Sequence, residues 1–136
     1  MRTQRRLPHV YREDRWLLVT WNLHGSLPRP HYPPLRCASS GRAFVRIDRQ
    51  LDAARWGPLF LRQPALAQLV CDSIHRGVQL RHYRLGPFVV MANHVHMLLL
   101  PLVHPSRLLQ SLKGFTAREA NRLLKRTGEP FWRRES

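Results

Sequence analysis

The stretch VVMANHVHMLLL, Val89 to Leu100, decides how the chain is read. Two histidines stand two residues apart in an otherwise apolar run. Alternate residues of a strand share a face, so His94 and His96 point to one side. Their backbones lie about 7 Å apart at a rise of ~3.3 Å per residue. Val95, Met97 and Leu99 take the other side as a core face, while Leu98 and Leu100 continue the histidine side. Two imidazoles so placed can converge on one cation, or can sit at a sheet margin as solvated or hydrogen-bonded rings. The pair alone does not choose, because two ligands by themselves rarely hold a metal. Glu119, Asp72 and His104 are candidates for a third ligand, with no spacing that favours one of them. A zinc site drawing on Cys37 and Cys71 lacks the usual paired spacings.

Working back from the histidines, Ala92-Asn93 suits a tight turn, and Val78 to Met91 reads as the preceding strand, interrupted near Gly86-Pro87. The two strands make a hairpin. Before them, Leu66, Leu69, Val70 and Ile74 recur at helical steps behind Pro64, a favoured first position. His75 and Arg76 suit the last turn, and Gly77 a stop. Trp16 to Leu23 is aromatic and β-branched enough for a strand. Leu27 to Ser40, with four prolines, reads as an irregular loop, and a mixed segment runs from Phe44 to Gly57-Pro58.

Past the hairpin, Leu108, Leu109, Leu112 and Phe115 form an apolar helical stripe that Gly114 weakens. Thr116 and Glu119 have the spacing of a capping box, which predicts a second helix from Thr116 to near Gly128. Strand, loop, helix, hairpin, helices is an α+β order, an antiparallel sheet with helices on one or both faces.

The 136 residues suffice for one domain with its own core. Lys+Arg number 23 against 8 Asp+Glu, a net charge of +15, and the pI is near 11.7. Only Lys113 and Lys125 are lysines, so arginine carries the charge. Its planar fork grips phosphate through two parallel bonds, and so basic a chain has the electrostatic footprint of a nucleic-acid binder. There is no apolar run of membrane-spanning length and no apolar signal core. The cysteines are expected as free thiols in a reducing compartment, which places the chain in the cytoplasm, with its charge drawing it to the nucleoid.

The strings MANHVHMLLLP and SLKGFTAREANRLLKRTGEPFW resemble the REP-associated tyrosine transposase branch of the single-strand transposases. These belong to the HUH nuclease superfamily, in which U is a bulky apolar residue, here Val95. The resemblance begins near VTWNLHGSLP, takes in the hairpin and reaches FWRRES, most of the chain. Ala92 departs from it, standing where the family has proline in MPNHVH. The resemblance implies a ferredoxin-like α+β fold, incomplete at the C-terminus. It implies that His94 and His96 bind a divalent cation, Mg2+ or Mn2+, which polarises the scissile phosphate of single-stranded DNA and neutralises charge on the departing 3′ oxygen. It also implies a tyrosine on a later helix that forms a 5′-phosphotyrosine. Here the sequence ends at Ser136, before that segment, and Tyr11, Tyr32 and Tyr83 all precede the histidines. No catalytic residue is therefore assigned.

The expectation is a truncated transposase-family domain over residues 16–136 behind a basic arm, residues 1–15. It would bind single-stranded or hairpin DNA without covalent cleavage, with a homodimer left open. Lys113, Arg118, Asn121 and Arg122 are the candidate DNA contacts; Arg118, Arg122 and Lys125/Arg126 share a helix face. Trp21, Trp56 and Trp132 are candidates either for stacking on bases or for the core. A Phe131-Trp132 pair with nothing over it would be an apolar patch. The competing reading is a basic nucleic-acid-binding module without catalytic ancestry, in which both histidines are structural. A hydrolytic metalloenzyme lacks support, there being no HExxH and no second HxH.

Overall fold

The apolar alternation of Val95, Met97 and Leu99 makes their strand the centre of the fold. The computed structural model describes residues 15–26 and 57–134. The proposed N-terminal arm (save Arg15), the proline-rich loop, the segment from Phe44 and Trp56 fall largely or wholly outside the described residues. In chain order the elements are β1 (Leu17–Asn22), a 3-10 turn (Phe60–Arg62), α1 (Pro64–Gln79), β2 (Tyr83–Val90), β3 (His94–Pro101) and α2 (Pro105–Leu124). β3 is central, antiparallel to β1 on one side and β2 on the other. The architecture is α+β, consistent with a small and partial ferredoxin-like arrangement. After α2 the chain returns beside β1. Leu23 bridges Trp132 in antiparallel sense, His24 N–H donates to the Phe131 carbonyl and Arg133 N–H to that of Asn22.

Both helices cover the same face of the sheet. Leu66, Val70 and Ile74 of α1 and Leu108, Leu109 and Leu112 of α2 join Val19, Trp21, Tyr83, Val95, Met97 and Leu99 in one buried cluster. Burying each large apolar side chain contributes roughly 1.5–3 kcal/mol, so this layer carries the stability. The opposite face bears Leu18, Thr20, Val89, His96, Leu98 and Leu100, of which Leu18 and Val89 are 59% and 44% exposed. The histidines thus lie on the sheet face opposite the two described helices.

Three element boundaries differ from the sequence expectation. Gly77 does not stop α1, which runs to Gln79 and ends in a turn through Arg81, at φ 62°. Gly77 is instead a packing site: a Cβ there would lie 2.2 Å from the Tyr83 hydroxyl oxygen and 2.4 to 2.5 Å from its ring. β2 accordingly starts at Tyr83, not Val78. Gly86-Pro87 does not interrupt β2 but forms a bulge between Leu85↔Leu99 and Phe88↔Met97, a position that tolerates proline.

The C-terminal helical region is one helix, not two. Thr116 is not a cap; its hydroxyl donates to the Leu112 carbonyl at 2.8 Å, the back-bond a threonine makes inside a helix. Glu119 pairs with Arg122 at 2.7 Å. The N-cap is His104, whose Nδ1 accepts from Ser106 N–H, with Pro105 following. The helix ends at Lys125 in the left-handed region, before Gly128.

Phe131 and Trp132 are buried rather than an exposed patch. Trp132 meets Trp21 edge-on at 6.0 Å and Phe131 at 4.9 Å, and its indole N–H donates to Thr116 Oγ1 at 2.8 Å. Trp21 and Trp132 are therefore core residues.

Tyr83 faces the helices, fully buried, and its hydroxyl donates to the Ile74 carbonyl. Burial pushes that hydroxyl well above the usual tyrosine range. The unfolded chain releases this proton near pH 10 while the folded chain keeps it, so the associated stability is complete below about pH 10 and declines as pH rises further. Tyr83→Phe should flatten the alkaline fall in urea midpoint between pH 9 and 11. Loss of the hydrogen bond should cost about 1 kcal/mol at neutral pH.

Candidate functional site

The histidine face is built by register. Thr20 stands opposite His96 and Asn22 opposite His94 across the β1/β3 ladder. Thr20 Oγ1 lies 2.8 Å from His96 Nδ1. Asn93, the last turn residue, places Oδ1 2.8 Å from His94 Nδ1. The two imidazoles meet almost at right angles, with centroids 4.8 Å apart. His94 is fully buried and His96 half-buried.

The end of the sheet around them is polar and tightly held. Asn22 Nδ2 donates to Ser26 Oγ at 2.6 Å and to the Leu23 carbonyl at 3.3 Å. The hairpin turn is anchored twice, by Leu23 N–H on the Asn93 carbonyl and by Leu61 N–H on that of Ala92. The Gly25 turn can approach this corner because residue 57 has no side chain. A Cβ on Gly57, at φ 66°, would fall 2.0 Å from the Gly25 carbonyl oxygen.

The sequence expectation of a paired histidine face corresponds to this geometry, and the expected third ligands do not join it. Asp72 accepts from Gln68 on α1, Glu119 binds Arg122 on α2, and His104 caps α2. Among the described residues no group of three or more His, Cys, Asp or Glu gathers as a ligand set. Two imidazoles with their Nδ1 atoms engaged match how metal-ligating histidines are oriented by outer partners. Such a pair would hold a divalent cation through its Nε2 atoms and leave the other positions to water or phosphate oxygens, as Mg2+ sites do. Nε2 of His94 is itself buried, so a cation could meet it only if this corner of the sheet opened.

The candidate DNA contacts are dispersed. Arg118 and Arg122 are exposed on α2, on the side away from the sheet and therefore across the helix layer from His94 and His96. Lys125 is exposed at the C-cap, but Arg126 lies over the Phe60 ring at 4.8 Å. Lys113 is on another side of α2, where its Nζ donates to the Arg133 carbonyl at 3.2 Å. It lines a cleft of about 790 Å³ between α2 and the C-terminal segment. Asn121 is buried and its amide donates to the Glu129 carbonyl at 2.7 Å, so it ties the end of α2 to the following turn.

Residues that the sequence reading passed over include Thr20 and Asn93, which hold the histidines, and Trp16 and Arg84, both exposed on the histidine face. Strand parity reveals Trp16: it alternates in step with Leu18 and Thr20. Arg107 extends the exposed α2 stripe by the same helical arithmetic.

Comparison of the chain with protein-family models, with curated proteins and with solved structures finds no match. No helix among the described residues is long and apolar enough to cross a membrane.

Proposed function

We propose that this chain is a transposase-family DNA-binding domain that takes single-stranded or hairpin DNA on the sheet face opposite the helices, beside a Mg2+ or Mn2+ ion held by His94 and His96. The observation that carries this reading is the adjacent, perpendicular pair of rings, each with its Nδ1 already engaged. When bound, the cation supplies Lewis-acid polarisation and charge neutralisation at a phosphodiester. The protein's own residues supply the rest. Thr20 and Asn93 fix the rings, exposed Trp16 offers a surface on which an unpaired base can stack, and Arg84 lies on the same face for a phosphate. The exposed arginines of α2 add sequence-independent attraction from the other side of the fold. Tyr83 does not serve as a nucleophile, because it faces the helices, away from the histidines, and stays protonated.

A cation shared between protein and phosphate couples the two ligands, so each must raise affinity for the other by the same factor. Titrating Mn2+ by calorimetry, with and without a single-stranded hairpin oligonucleotide at fixed salt, measures that factor. His94→Ala with His96→Ala should lower Mn2+ affinity at least about tenfold and remove the coupling, while leaving metal-free DNA binding nearly unchanged. A second reading, a basic nucleic-acid module with structural histidines, is favoured by the fact that Thr20 and Asn93 already satisfy one nitrogen of each ring. DNA affinity indifferent to Mn2+ in the unaltered protein would select it.

A further inference from the structure

Among the described residues two glycines lie inside helices, Gly77 in α1 and Gly114 in α2. Glycine within a helix is less stable than alanine, so each needs a reason. Gly77 has one in the Tyr83 ring. A Cβ on Gly114 would meet only the Arg118 side chain, with Nη1 at 3.6 Å, an ordinary contact. Packing therefore does not require glycine at 114. The position lines the cleft of about 790 Å³ between α2 and the C-terminal segment, and the missing side chain leaves that wall open to whatever enters.

Three hydrogen bonds give the cleft a direction, because the segment runs backwards along α2. Asn121 donates to the Glu129 carbonyl, the Trp132 indole to Thr116 Oγ1, and Lys113 Nζ to the Arg133 carbonyl. One end is thus cationic, with Lys113, Arg133 and Arg134, and the other holds Glu129 and Pro130 beside Ala117. A phosphate is drawn to the first end and repelled from the second by the Glu129 carboxylate. A flat, mostly apolar group fits between them, along Gly114 and Ala117. The volume lies within the range of about 300–1,000 Å³ of small-ligand sites, which join apolar walls to a few placed polar groups.

We propose that this cleft takes one nucleotide unit of an unpaired DNA strand, its phosphate at Lys113, Arg133 and Arg134 and its base against α2 at Gly114 and Ala117. This rests on the reading of the chain as a DNA binder but not on the cation, since the cleft shares no residue with the histidine face.

Titration of a fluorescent oligothymidine strand in EDTA at fixed salt tests it. Gly114→Leu fills the cleft with a better helix former. It should keep or raise the urea midpoint and weaken strand binding about tenfold, the loss of one seated base. Arg134→Ala should reduce the slope of log affinity against log salt by about 1. A strand carrying 5-bromodeoxyuridine should photo-crosslink within residues 110–117 or 129–134. Undiminished affinity in a folded Gly114→Leu protein, or crosslinks confined to other segments, overturns the proposal. So does displacement of the strand by an equal concentration of thymidine monophosphate, which would reassign the cleft to a free nucleotide. If Gly114→Leu does not fold, the crosslinks of the unaltered protein still decide. An unaltered protein that binds no DNA refutes this proposal and the DNA-binding reading together. Cleft variants that lose affinity while Mn2+ has no effect on DNA binding support the cleft and refute the metal reading alone.

Discussion

Gly77→Ala should destabilise the protein by about 2–3 kcal/mol, seen as a lower urea midpoint with the slope unchanged. In an ordinary helix interior the same change stabilises by roughly 1 kcal/mol, because glycine is a poor helix former. Packing reverses the sign. The added Cβ would enter the space of the Tyr83 hydroxyl and ring edge, and that ring cannot retreat, being fully buried and hydrogen-bonded to the Ile74 carbonyl. Combining Gly77→Ala with Tyr83→Ala should recover part of the loss, and the non-additivity would locate the clash. A Gly77→Ala protein as stable as the parent would mean that α1 does not lie against Tyr83 as described.

Trp132→Ala should cost about 3–5 kcal/mol, the range for emptying a buried tryptophan site. Its ring closes the core against Trp21 and Phe131, and its N–H gives Thr116 a donor where α2 passes over the sheet. Trp132→Phe should cost less, since it keeps an aromatic body and loses the hydrogen bond, while the Thr116 hydroxyl still donates to the Leu112 carbonyl. Urea unfolding followed by circular dichroism measures both. If the alanine variant loses under about 1 kcal/mol, the pair at Phe131-Trp132 is a surface feature, as the sequence alone suggested.

The errors and successes of the sequence reading have one physical source, the difference between local and tertiary signals. Strand alternation is local, and it located β3, its core residues and the shared face of the histidines. The Gly77 stop and the Thr116–Glu119 cap are local signals too, but other parts of the chain reassigned them. Gly77 answers to Tyr83, six residues on, and Thr116 to Trp132 across the end of α2. The coverage of Trp132 depends on Trp21 and Phe131 meeting, which no pattern within one element can express. At the site, the histidines were legible because their spacing matches a strand. Thr20 and Asn22 became visible only through the β1/β3 register, which depends on the whole sheet. Asn93 was read as a turn former, and its second use required seeing its oxygen against His94.

The bulge at Gly86-Pro87 has a bearing on how the molecule behaves when concentrated. Among the described residues β2 is the outermost strand on its side of the sheet, and an outer strand with an unbroken ladder of N–H groups invites a neighbouring chain to add on. Proline contributes no N–H at its position, and the extra residue puts the strand out of step with any straight partner. Growth of stacked sheets from that margin is thereby discouraged, which suits a chain whose other sheet face leaves Leu18 and Val89 open to water.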